Sequence, residues 1–163
     1  MAISYNIQKH AYAFQSKLLA ANGGNHIYNI RLTSDMDNGT IIGKGDWVAF
    51  DEYEQDSADG SFAGRIVDQA ANGNWYVEVI EPADNLLVLE VPELKVPDYK
   101  EFTDPKNFYN KTGDVVRAYA LSKGDIFEIS AEGFTTTPSA TSIGKDVSVS
   151  AATATLGKLV IAS

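Results

Sequence analysis

Phe62-Ala63-Gly64-Arg65-Ile66-Val67-Asp68, Asn72-Gly73-Asn74 and Trp75-Tyr76-Val77-Glu78-Val79-Ile80 are the segments whose reading decides the fold. Two short runs rich in β-branched and aromatic residues flank a turn signal, which reads as strand, turn, strand. The pattern continues upstream. His26-Ile27-Tyr28-Asn29-Ile30-Arg31-Leu32-Thr33 alternates apolar and polar residues at period two, as a half-buried strand does. Asp37-Asn38-Gly39 follows as a hairpin turn signal, then Thr40-Ile41-Ile42 and Trp47-Val48-Ala49-Phe50. Downstream, strands are predicted at 86–91, 115–121, 126–130 and 146–150, and the β segment 157–161 closes the chain. Short strands with turns every ~8–12 residues predict a mainly β protein, built as small β-sandwich or barrel lobes. Gly-Asp stands before a predicted strand at Gly45-Asp46, Gly113-Asp114 and Gly124-Asp125, a recurrent turn device without a repeat period.

Two segments break the β pattern. In residues 1–24, Ile3, Ile7, Ala11, Phe14 and Leu18 share one helical face, and Asn22-Gly23-Gly24 supplies a stop. This predicts a short N-terminal helix docked on the domain, or an arm reaching a neighbouring subunit with Tyr5, Tyr12 and Phe14 as anchors. Pro92, Pro97 and Pro105 fall among alternating charges, and proline cannot donate to a β ladder. The expected organisation is therefore an arm at 1–24, a β lobe at 25–91, a proline-bearing linker at 92–112 and a second β lobe at 113–163.

Charge and composition exclude several classes of function. The 163 residues carry 13 Lys plus Arg against 22 Asp plus Glu, a formal net charge of −9. Residues 51–104 hold 14 acidic and three basic groups, so the excess is confined to that region. An acidic chain lacks the clustered cations that displace counterions from nucleic acid, and no nucleic-acid partner is expected. With no cysteine, disulfides, zinc–thiolate sites and thiol nucleophiles are excluded. Residues 1–21 lack the unbroken apolar core of a secretory signal, and no run approaches the ~18–20 residues that span a bilayer. Secretion and a membrane association are not expected, so the glycan-acceptor patterns at Asn38 and Asn110 carry no weight.

Catalytic patterns are absent from the sequence. His10 and His26 lie outside any recognisable serine, metal or phosphate motif, and surface or capping roles are expected for them. Asp35-Met36-Asp37-Asn38-Gly39 is one residue out of register with a calcium loop, has Asp46 rather than Glu at the twelfth position, and is explained by a hairpin turn. Asp51, Glu52, Glu54, Asp56 and Asp59 form an acidic loop, 51–61, read as a solvated face. Trp47, Phe50, Trp75 and Tyr76 suit a sugar platform, but at strand positions they are expected as core or cross-strand pairs. A noncatalytic protein without cofactor or metal is the expectation.

Gly113-Asp114-Val115-Val116-Arg117-Ala118-Tyr119, Gly124-Asp125-Ile126-Phe127-Glu128-Ile129-Ser130, Gly144-Lys145-Asp146-Val147-Ser148-Val149 and Gly157-Lys158-Leu159-Val160-Ile161 resemble small β modules of tailed-bacteriophage virion proteins. The nearest likeness is to the decoration, or cement, class that coats icosahedral capsids. The resemblance spans about 50 residues and transfers no catalytic or contact residue. It implies a structural protein assembled in a bacterial cytoplasm and located on the virion. That protein would bind and stabilise the capsid surface through the major capsid protein as a homo-oligomer, with a trimer suiting three-fold sites. The alternatives are a head-fibre or tail and baseplate protein binding host carbohydrate, and a small carbohydrate-active enzyme using the acidic loop.

Overall fold

Alternation along each strand decides what that strand buries, and here it divides the apolar residues between two interiors. The computed structural model describes residues 9–12, 27–49, 52–58, 62–81, 86–89 and 105–163. Its strands are β1 (Ile27–Arg31), β2 (Ile41–Ala49), β3 (Glu52–Asp56), β4 (Ala63–Gln69), β5 (Trp75–Glu81), β6 (Leu86–Leu89), β7 (Val115–Ala120), β8 (Ile126–Ile129), β9 (Asp146–Val149) and β10 (Leu159–Ile161). The helical structure among the described residues consists of three-residue 3-10 turns, and no helix there is long and apolar enough to cross a membrane. The protein is mainly β.

β4 and β5 form the expected hairpin. Gly73 takes φ 88° in the turn, where Ala70 N–H donates to Asn74 O and Gly73 N–H to Ala70 O. This pair centres a five-stranded sheet of order β10-β9-β4-β5-β8. The other strands pair in the order β1-β3-β2-β6-β7, and β7 returns to β1, closing the ring of ladders. Only β1 and β3 run parallel within that ring.

The apolar residues follow this division. Ile30, Leu32, Met36, Ile42, Val116 and Ala118 fill the ring. Their strand neighbours Ile41 and Tyr119 point the other way and join Phe62, Ile66, Trp75, Val77, Val79, Phe127, Ile129, Val147 and Leu159 beneath the second sheet. Adjacent residues thus serve different cores, and the ring and the sheet share an interior.

Several expectations change. The lobe boundaries at 91 and 113 do not follow the sheets: β4 and β5 pair with β9 and β8, while β7 pairs with β1 and β6. Strand pairing is nonlocal, so a sequence boundary need not be a spatial one. The Asp37-Asn38-Gly39 turn forms, with Gly39 at φ 85°, but it does not join paired strands. Residues beside it are drawn to 110–114 instead: Met36 bridges Asn110, and Leu32 exchanges backbone hydrogen bonds with Gly113 and Asp114. Gly113-Asp114 and Gly124-Asp125 do build one device twice. Each glycine has φ near 85°, and each aspartate Oδ2 accepts the backbone N–H three residues earlier, from Lys111 and Ser122. Gly45-Asp46 instead lies inside β2, at a register shift between Lys44 and Trp47. Residues 52–56 of the expected acidic loop form strand β3, since their alternation lets Tyr53 pack against the ring core and buries Gln55.

Of the N-terminal helix or arm, only residues 9–12 are described; Tyr5 and Phe14 lie outside the described residues, as does most of the 92–112 linker. Residues 9–12 are not helical and cross onto the C-terminal half, with His10 N–H donating to Lys106 O and Ser130 N–H to Tyr12 O.

Candidate functional site

The N-terminal crossing borders a polar concave region. His10 is 12% exposed rather than on the surface, with its Nδ1 2.6 Å from Asp37 Oδ1. A carboxylate accepts only, so Nδ1 carries the shared hydrogen. Ala11 N–H donates to Asp37 Oδ2 at 3.1 Å, and Lys158 Nζ stands 3.9 Å from the same oxygen. The Asp37 carboxylate therefore joins the N-terminal segment, the 34–40 turn and the residue that precedes β10. The His10 ring stacks on Tyr109 with centroids 4.9 Å apart, and its Nε2 is buried without a partner among the described residues. Lys158 Nζ also donates to Glu132 O at 3.0 Å.

This cluster borders a cleft of about 320 Å³, lined by the 34–37 turn, Tyr109 and the segment 153–158. Asp35 lies at its rim. Both Thr112 N–H (2.8 Å) and Thr112 Oγ1–H (2.9 Å) donate to Asp35 Oδ1. Those bonds hold its carboxyl below the usual carboxylate range, the backbone donor first and the hydroxyl second, with Lys111 nearby adding a little. The carboxylates that suggested a cation loop are thus spent on different partners. Among the described residues, no three His, Asp or Glu side chains gather as a metal site would require.

Tyr12 is the one proposed anchor whose position is described. It is 9% exposed and donates its phenolic hydrogen to Asn74 Oδ1 at 3.0 Å. Asn74 and Asn72 both donate from Nδ2 to Oε1 of Glu128, which is fully buried on β8. The contact is within the chain, where it ties the N-terminal segment to the β4–β5 turn. A buried carboxylate is tolerable only with such donors, each worth about 1.5–3 kcal/mol.

The ring carries a second feature at one end. Ile30 of β1 registers with Tyr53 of β3, and Tyr53 with Trp47 of β2, so these side chains share the inward face. Beyond Ile30 that face runs into solvent. Tyr28 and Tyr53 meet edge to face at 5.6 Å, and Trp47 and Tyr53 at 5.2 Å. Lys44 Nζ lies 4.6 Å from both tyrosine centroids, a double cation–π contact. Trp47 is 57% exposed and Val48 48% exposed. Of the other aromatic candidates, Trp75 is in the shared core at 3% exposure, Tyr76 is half-buried, and Phe50 is outside the described residues. In the acidic stretch, Glu52 pairs with Arg31 while Glu54 and Asp56 stay exposed; Asp51 and Asp59 are outside the described residues.

Nothing in the sequence pointed to the His10–Asp37–Lys158 cluster, because its members are far apart along the chain and belong to no motif. The aromatic end was visible only as residue types; the bulge in β2 that presents Trp47 was not. The chain matches no protein-family model, no curated protein and no solved structure.

Proposed function

We propose that this chain is a noncatalytic virion structural protein, a decoration protein that binds the major capsid protein and stabilises the capsid surface. The observation that carries the reading is the aromatic end of the ring, where Trp47 and Val48 stand exposed beside an ordered Tyr28–Tyr53–Lys44 cluster. Trp47 and the neighbouring Val48 offer apolar area that a partner can cover, and aromatic anchors dominate protein interfaces. The β2 bulge and the edge-to-face contacts of Tyr53 with Trp47 and Tyr28 hold the anchor in place before binding, which lowers the ordering cost. The polar groups of the cleft support the same reading: His10, Asp37 and Lys158 are engaged in joining segments of the fold. The resemblance of the Gly-Asp strand modules to phage virion proteins supplies the partner class.

Attachment to a repeating lattice multiplies weak contacts through avidity, and a trimer would match three-fold capsid positions. Purified protein should co-sediment with undecorated capsids, and Trp47→Ala should weaken that binding about 30-fold, as loss of a ~2 kcal/mol anchor requires. Charge reversal at Glu54 and Asp56 should leave it intact. Failure to bind at saturating concentration overturns the reading, and collapse on charge reversal places the contact on the acidic face instead.

A further inference from the structure

We infer that the cleft beside His10 is a binding site for one neutral sugar unit, a capacity separate from capsid attachment. At about 320 Å³ it falls at the small end of ligand pockets, which run from about 300 to 1,000 Å³. Its walls are polar, whereas a pocket for an apolar ligand is lined mainly by hydrocarbon. The residues that matter are Ser34, Asp35, Asp37, Tyr109, Thr153 and Lys158.

Their hydrogen-bonding capacity is mixed and partly unspent. Asp35 uses Oδ1 for both Thr112 donors, which leaves Oδ2 to accept. Among the described residues Ser34 Oγ accepts a long 3.4 Å contact from Gln55 Nε2, which leaves its hydroxyl hydrogen available to donate. The hydroxyls of Thr153 and Tyr109 each donate and accept, and Lys158 brings further N–H groups. A ligand that offers both functions at every position, as the hydroxyls of a pyranose do, satisfies this set. The Tyr109 ring, held against His10, adds an apolar surface for the C–H face of a sugar.

Charge selects the ligand class. Two carboxylates border the cleft and oppose an anion such as phosphate. Asp37 is already engaged by His10, the Ala11 N–H and Lys158, and among the described residues no third His, Asp or Glu gathers with Asp35 and Asp37 to hold a metal cation. An uncharged polyol is what remains. The cleft is also tied to the core: its lining includes Met36, which is buried in the ring.

Saturation-transfer NMR on the full chain tests this, using the methyl glycosides of glucose, galactose, mannose and N-acetylglucosamine. Glucuronate, glucosamine and inorganic phosphate serve as charged comparisons. At least one neutral glycoside should bind, with Kd near ~1 mM or below. Thr153→Trp, at an exposed position on the rim, should fill the cleft and weaken that binding tenfold or more, with the circular dichroism spectrum and Tm unchanged. Asp35→Asn, which keeps an acceptor for Thr112, should weaken it less. Absence of transfer from every neutral glycoside overturns the inference, as does binding that survives Thr153→Trp or favours a charged probe. Because the assay contains no capsid, its failure leaves the capsid reading standing, and failure to bind capsids leaves the sugar site standing.

Discussion

Gly157→Ala is a substitution to which the fold should be sensitive, and its cost can be worked out in parts. Gly157 has φ 77°, a left-handed conformation that an L-residue enters at about 1–2 kcal/mol. It also sits where the β9–β10 connection meets the start of β2: Ile41 N–H donates to Gly157 O, and Gly157 N–H to Ser150 O. A Cβ there would lie 2.2 Å from Thr40 Cγ2 and 2.5 Å from Ile41 O. The second of these is backbone and cannot rotate away, so relief requires separating the ring from the sheet. Overpacking of this kind adds about 1–3 kcal/mol. The sum is a loss of about 2–5 kcal/mol, or roughly 4–20 °C in Tm for a chain of this size. Gly73→Ala is the control, since Gly73 has φ 88° and open space around its Cα. It should lose only the conformational part, about 1–2 kcal/mol. Urea unfolding of both variants with an unchanged m-value gives the comparison directly. If Gly157→Ala loses no more than Gly73→Ala, the close approach of the two layers carries no energy and the reasoning fails.

Three further outcomes follow from the polar contacts. Tyr12→Phe removes the donor to buried Asn74 Oδ1 and should cost about 1–3 kcal/mol in urea unfolding. Asp37→Ala leaves His10 Nδ1 and Ala11 N–H without their acceptor, so amide exchange at Ala11 should accelerate well beyond that at Ile30 in the ring core. Asp35 has a depressed folded pKa, so its stabilisation is fully present above the unfolded value of about 3.9 and is lost as pH falls through the lower folded value. Asp35→Ala should therefore lower the unfolding free energy from urea titration slightly at neutral pH, by under about 1 kcal/mol for so exposed a group, and not at all in strong acid.

Local chemistry was enough to determine the β class, most strand positions and the turns at Asn72-Gly73-Asn74, Gly113-Asp114 and Gly124-Asp125. Those features depend on side-chain alternation and on glycine at positive φ, which are properties of neighbouring residues. Reading 51–61 as a loop failed at 52–56 because its charges dominated the composition, while the alternation of Tyr53 and Gln55 with outward carboxylates was the stronger signal. Gly45-Asp46 looked like the two true Gly-Asp turns, yet it became a bulge because β2 must keep pairing with β3 on both sides of it. The candidate sites were less legible still. The Trp47 anchor depends on register across three strands, and the His10–Asp37–Lys158 cleft joins residues from opposite ends of the chain. A sequence specifies what each segment can bury and where it can turn. Which segments meet is decided by the free energy of the whole packed interior, and only there do Ile41 and Ile42, adjacent in the chain, come to serve different cores.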